Sequence, residues 1–382
     1  MPITRPDFER IKGYALQFDT SEKALFRVLQ SSDEKLGTFS HSLEKRVDGK
    51  CTFLTETNQC ALHERFGQKT KPSMCRLFPY TFTATPGGVF ASVSFASSAV
   101  IFNQGDLLSE KEEDLRQQYA LFKSLFPALR LDWGNTQVID GTDIRFDNYL
   151  EAEKAILQVL EKEDRTNGSR IVRDFYEAVK VFRDLVPAGL NLDDMAGFQA
   201  PAKRIDQHFV DYLNGFYFPC DIFAIQSQDM DARELLSRVL SGTARAPIKH
   251  AGKEVTVAQL FSLSLGRLPD ALEDILRRFL YLRVFSKLYF GPGFNYLSIV
   301  AGFNHLTILA CLLRIRLKLD LLTGVLDSES LSRETGLIAL GEHLRTLERR
   351  LTISMFSQET VAMLEVFSAS PKRVERIISL SA

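Results

Sequence analysis

Residues 294-FNYLSIVAGFNHLTILACLL-313 are almost continuously apolar, and Arg314, Arg316 and Lys318 follow them. A run of about 20 apolar residues is long enough to span a bilayer, and a basic flank suits a cytoplasmic edge. Against a span stand Asn295, Asn304 and His305, which together would cost a few kcal/mol in lipid. The stretch therefore reads as a buried hairpin of helices in a helical core. No membrane partner is expected.

Outward from this stretch, helical spacing recurs over 109–125, 147–162, 169–185, 203–214, 231–240, 256–264, 270–289, 295–317, 336–350 and 357–379. The breaks carry turn chemistry: Asn167-Gly168, Pro187-Ala188-Gly189, Ser241-Gly242 and Gly291-Pro292-Gly293. At the other end, residues 7–30 have helical spacing, with Phe8, Ile11, Tyr14, Ala15 and Phe18 on one face. A second amphipathic piece, Ala24 to Leu29, follows a Thr20/Ser21 cap signal. Between 38 and 100 the pattern changes. Residues 51–54 read as a short strand, 55–59 as a turn, and Cys60–Phe66 as a short helix closed by Gly67. Tyr80–Thr83 and Val89–Phe95 alternate like strands around the hairpin turn Pro86-Gly87-Gly88. The expected fold is mainly α, with a small α+β cysteine-bearing module (short strands and one hairpin) packed on a large helical domain. The expected boundaries are 1–106 for the module and 107–382 for the helical domain, with a further division near 241–250.

Net charge is −1 over 382 residues, so no whole-chain field draws nucleic acid, and no nucleic-acid partner is expected. The opening MPITRPDFERIKGYALQF carries charges throughout and reads as no signal peptide, which points to the cytoplasm. Thiols there stay reduced, so clustered cysteines read as ligands or nucleophiles before disulfides.

The cluster is 51-CTFLTETNQCALHERFGQKTKPSMCRLFP-79, which holds three of the five cysteines. A disulfide uses two thiols and a closed zinc site about four ligands, so the count suits neither. Cys51 lies in Gly-Lys-Cys-Thr-Phe-Leu, Cys60 opens a helix, and Cys75 sits in Pro-Ser-Met-Cys-Arg-Leu-Phe-Pro. Together these elements resemble the zinc- or iron-chelating cysteine-cluster family (YkgJ-type), related to flagellin lysine-N-methylase, over roughly residues 48–105. The resemblance implies a metal centre, either an iron–sulfur cluster or zinc, with Cys51, Cys60 and Cys75 at ligand positions. Arg76 would then lower a thiolate pKa or donate to a cluster sulfur, and Phe78 and Pro79 would stiffen the turn and shield the site.

Two departures from the family pattern stand out. The family opens with a dense cysteine segment that has no counterpart before Cys51, as a truncated or shortened chain would show. Where long members have a Phe-Ala-Cys-Pro-like segment, this chain reads Phe95-Ala96-Ser97-Ser98. The resemblance is thus to a degenerate member. His63, three residues after Cys60, is the fourth donor a zinc site would use; the alternative is a surface histidine.

The expected function is metal or iron–sulfur binding by an incomplete ligand set, or a metal-free descendant of such a site. One alternative implied by the resemblance is a protein-lysine N-methyltransferase, using S-adenosylmethionine on a protein such as flagellin. Another is a helical protein-interaction scaffold. No catalytic residue can be assigned: no phosphate loop, methyl-donor loop or acid–base pair is present. Cys220 and Cys311 read as core residues. His208, His250, His305 and His343 are scattered, and His305 reads as a satisfied buried histidine.

Overall fold

The structure is a computed structural model of the 382-residue chain. It describes residues 1–15, 25–29, 38–134, 136–139, 141–162, 170–184, 202–218, 248–353 and 356–382. The segment expected as a helix over 231–240 and the division near 241–250 lie outside the described residues, except for 248–250. Cys220 also lies outside them, as does the side chain of His208.

Among the described residues are fourteen helices and nine short strands. All the sheets whose pairing is defined are antiparallel and small. The mainly helical class with a little β structure is therefore what forms.

The chain divides into two compact units, and not at residue 106. The first holds Met1–Phe82, Ala91–Ser94 and Gly105–Leu131; the second holds Thr83–Phe90, Phe95–Gln104 and Asp132–Ala382. The division corrects the expected boundary in two ways. The helix Glu112–Leu125 belongs to the first unit, because Tyr119, Phe122 and Leu125 pack with Phe39, Leu77 and Phe82. The tip of the hairpin Tyr80–Thr85/Gly88–Val93 belongs to the second, where Phe90 stacks edge-on against Phe285.

In the first unit, strands Pro2–Thr4 and Phe26–Val28 flank Phe39–Leu43. Met1 and Leu43 exchange two main-chain hydrogen bonds, 2.7 and 2.9 Å, which set the register at this edge. Phe26–Val28 replaces the amphipathic helix expected over 24–29. Its aromatic and β-branched residues pair with Leu43, Ser42 and His41, and sheet pairing overrides a weak local helical pattern. The helix Arg5–Ala15 presents Phe8 and Ile11 to a core made with Ile3, Leu25, Phe26, Leu43, Phe53 and Leu62.

The second unit is organised around Ile299–Thr323, a helix of 25 residues with almost no solvent-facing side. The expected hairpin is thus one continuous helix, starting later and ending later than 295–317. It starts at Ser298 because Asn295 and Tyr296 adopt left-handed backbone angles (φ 49° and 60°) that no α-helix accepts. The Ser298 hydroxyl then accepts from the Ala301 N–H. It stops at Gly324, which takes the left-handed conformation at φ 75°. The helices Ile171–Arg183, Asp270–Phe285, Glu334–Ile353, Gln358–Ala369 and Pro371–Ser381 pack around it. The last two replace a single helix expected over 357–379. Pro371 forces Ser370 into extended backbone, and Ser370 caps the new helix through the Arg373 N–H.

No helix among the described residues is long and apolar enough to cross a membrane. Polar residues of the central helix are bonded within the unit, though the Asn304 Oδ1 is buried without a hydrogen-bond partner. Asn304 Nδ2 donates to the Ser368 carbonyl at 2.7 Å, and His305 Nε2 meets the Tyr217 hydroxyl at 2.8 Å. Burial pushes His305 down to about 3, so it is neutral, as expected of a satisfied buried histidine. Cys311 is a core residue, fully buried and pushed up to about 11.

At Gly302 this helix lies tight against a neighbouring backbone. A Cβ there would lie 2.3 Å from the Tyr289 carbonyl oxygen and 3.0 Å from the Phe290 Cβ. Helix propensity alone favours Ala over Gly by about 1 kcal/mol. Gly302→Ala should instead lower unfolding stability by about 2 kcal/mol, because overpacking outweighs propensity. Urea unfolding followed by circular dichroism measures this, and a midpoint equal to or above wild type would contradict the packing.

Candidate functional site

Cys51, Cys60 and Cys75 all lie in the first unit, and each is placed by a different local device. The strand expected at 51–54 is not formed. Cys51 makes a single bridge to Lys45, and the chain turns at once, with Leu54 N–H donating to the Cys51 carbonyl at 3.0 Å. The turn closes at Asn58 (φ 60°), and Leu54 then bridges Cys60. Cys60 is the residue before the helix Ala61–Phe66, whose first N–H is taken by the Phe53 carbonyl at 2.8 Å. Gly67 ends that helix at φ 86°, as its position predicts. Cys51 and Cys60 thus sit across one tight loop, both packed against the core around Phe53 and Leu62.

Cys75 lies in the helix Ser73–Leu77, whose start is held by Asp7 from 66 residues away. Asp7 is buried, with 1% of its side chain exposed. Its carboxylate accepts from the Ser73 N–H and from the Ser73 hydroxyl, each at 3.0 Å, and from Arg10 at 2.5 Å. Arg10 also donates to the Lys71 carbonyl at 3.1 Å. Burial pushes the Asp7 carboxyl upward. The hydrogen bonds from Ser73, Arg10 and Thr4 outweigh that and hold it below the usual carboxylate range. Sequence reasoning missed Asp7. Its signal was a Thr-x-x-Asp helix start, Thr4 to Asp7, in which the Asp7 N–H donates to the Thr4 hydroxyl at 3.2 Å.

The three thiols share one electrostatic neighbourhood. Burial pushes Cys75 up to about 12, and Cys51 and Cys60 add to the rise. Burial also raises Cys51; the Phe53 N–H opposes the rise and Cys60 adds to it. Neither Cys51 nor Cys75 is an activated thiolate, so nucleophilic chemistry of the kind a depressed thiol pKa supports is disfavoured at both. A fourth sulfur joins them: Cys75 Sγ lies 3.2 Å from Met1 Sδ.

The residues expected to support the site make other contacts or face solvent. His63 is on the exposed side of its short helix. Arg76 directs one guanidinium nitrogen to the Ser73 hydroxyl at 3.2 Å, and its Nε is buried with no hydrogen-bond partner. Phe78 is 49% exposed, and Pro79 accepts from the Ser94 N–H at 2.8 Å, tying the turn to the base of the hairpin. As the side chains stand, no group of three or more His, Cys, Asp or Glu among the described residues could hold a metal ion.

The second unit brings together residues that looked scattered in sequence. His250 Nε2 lies 2.6 Å from one oxygen of Asp320, and His343 Nε2 lies 2.5 Å from the other. Burial pushes Asp320 up, but the two imidazoles more than offset this and bring it to about 2. Burial lowers His343 despite Asp320 beside it. Sequence spacing offered no signal for a trio spread over 94 residues.

No family model, no curated protein and no solved structure matches this chain.

Asp7→Ala should remove about 3 kcal/mol of stability at neutral pH, since it leaves the helix start bearing Cys75 without its buried anion. The folded carboxyl titrates below its unfolded value of about 4, so its contribution is present above pH about 4 and lost on further acidification. Urea unfolding at pH 7 and at pH 3 should show a wild-type advantage at the first pH that shrinks at the second. An equal difference at both would contradict the ionised role of Asp7.

Proposed function

We propose that this chain is a cysteine-ligated metal-binding protein whose ligand set is Cys51, Cys60 and Cys75, built into a small cysteine-bearing module. One observation carries the reading: thiols from three separate elements lie within electrostatic reach of one another, Cys75 of both others and Cys51 of Cys60. Cys51 and Cys60 also pack on the core as small apolar side chains. A cation would add a reason for their closeness to Cys75, because it reverses the sign of the local field and turns mutually destabilising thiolates into ligands.

The donor set suits soft and borderline ions. Zinc or an iron–sulfur cluster on three thiolates would keep one coordination position for water or a substrate, supplying Lewis-acid or electron-transfer chemistry there. The work of the chain itself is to set the spacing. The tight loop 51–60 fixes two sulfurs, and Asp7 fixes the helix that carries the third. Ligation requires the three side chains to turn toward a common point and to release their protons to solvent. With burial holding Cys75 near 12 in the free protein, affinity should rise with pH across the neutral range.

Anaerobic titration with cadmium, a spectroscopic stand-in for zinc, tests this. A thiolate-to-metal charge-transfer band should saturate at one equivalent. Cys75→Ser should weaken binding on the order of 100-fold in a protein with unchanged circular dichroism. No saturable band in the wild type would refute the reading.

A further inference from the structure

The second unit holds a titratable cluster that makes no use of the cysteines. Asp320 stands in the last turn of the central helix, and its two oxygens meet two imidazoles, His250 Nε2 at 2.6 Å and His343 Nε2 at 2.5 Å. The side chains of Asp320, His250 and His343 are 3%, 9% and 14% exposed. An ionised carboxylate only accepts, so each ring carries its hydrogen on Nε2 and an added proton goes to Nδ1. The rings come from different elements. His250 ends the strand Ile248–His250, and the chain turns through Ala251 and Gly252 in left-handed backbone (φ 47° and 75°) to return as Lys253–Val255. A second bond ties this hairpin to the same helix end, from Lys253 Nζ to the Thr323 carbonyl. His343 belongs to the helix Glu334–Ile353. One carboxylate thus joins a hairpin and a helix to the end of the central helix.

We propose that His250, Asp320 and His343 form an acid-sensitive latch, closed while at most one ring is protonated and released when both are. The charge count sets its direction. With both rings neutral the cluster carries the single negative charge of Asp320. One proton cancels that charge and turns one bond into a charge-assisted pair. A second proton leaves a net positive charge in a nearly buried place. The described groups around it do not offset that charge. Arg316 lies one turn earlier on the central helix, with its guanidinium 4.9 Å from the Phe218 ring, and Phe218 packs at right angles against His343. Lys253 adds a further cation at the helix end. Burial, which Asp320 opposes and Arg316 and His250 reinforce, holds His343 below the ordinary value of about 6.5. The opened chain therefore takes up a proton before the closed one. Closure is favoured above about pH 6.5 and weakens as the pH falls. Asp320, at about 2, stays ionised through this range, so the imidazoles are the sensor.

Amide hydrogen exchange on the full chain at about pH 7.5 and about pH 5, corrected for the intrinsic rates, tests the latch. Protection in 248–255 and in Glu334–Ile353 should fall about tenfold at the lower pH. Protection of Ile171–Arg183, which packs on the same central helix, should hold. His343→Gln keeps an N–H for Asp320 and cannot take up a proton, so it should remove most of the pH dependence. His250→Gln should do the same, and it answers the question if the first variant does not fold. Equal protection at both pH values in the wild type would overturn the proposal. An acid loss that persists undiminished in the folded variants would also overturn it. So would a loss that includes Ile171–Arg183 to the same extent, since that is global unfolding.

Discussion

Arg314, Lys318 and Asp320 lie on one helix whose surroundings are almost entirely protein, and the second unit is arranged to satisfy them. Arg314 pairs with Glu273 at 3.2 Å and donates to the carbonyls of Gly266 and Ser381. Lys318 donates to the carbonyls of Leu380 and Leu260, and burial followed by the charge of Arg314 lowers it to about 8. Two of these acceptors, Leu380 and Ser381, are carbonyls in the last turn of the final helix, where no intrahelical donor remains. The buried cations therefore close a helix end, and the helix end compensates the cations. Removing one partner would leave the other desolvated, which makes the packing specific and not merely greasy.

The same logic recurs nearby. Lys287, fully buried, pairs with Glu153 at 2.6 Å, while Tyr149 donates to that carboxylate and meets Tyr289 at 2.9 Å. Arg283 and Glu348 form another buried pair at 2.6 Å. These pairs join residues 65 to 134 positions apart. Their spacing gave the sequence reader nothing to find. Periodicity did reveal the helices themselves, because apolar faces repeat within a segment. It blurred their ends at Asn295 and Ser370, where left-handed backbone and Pro371 decide. It failed at Phe26–Val28, where pairing with a distant strand outweighs local pattern. The clustering of three cysteines within 25 residues was legible in the sequence, and the Gly67 stop from turn chemistry. Asp7 and Met1 were not, since each reaches the Cys75 region across more than 60 residues.

In the first unit, the site depends on a similarly long-range constraint. Asp7 fixes Ser73, and with it the helix that carries Cys75, while the loop between Cys51 and Cys60 is fixed by its own turn. The outcome is a set of thiols whose burial and mutual repulsion favour the protonated form where the shift is resolved. Such a set is poor as a nucleophile and costly as free thiolates. On the proposed reading, a bound cation would account for both its composition and its closeness.

The most direct measurement is the metal and acid-labile sulfide content of the full chain purified without oxygen, with its visible spectrum. The account predicts close to one equivalent of a thiophilic metal that is lost from a Cys60→Ala/Cys75→Ala variant of unchanged fold. A folded wild-type protein with no metal, and with Cys51, Cys60 and Cys75 all freely titratable, would contradict it.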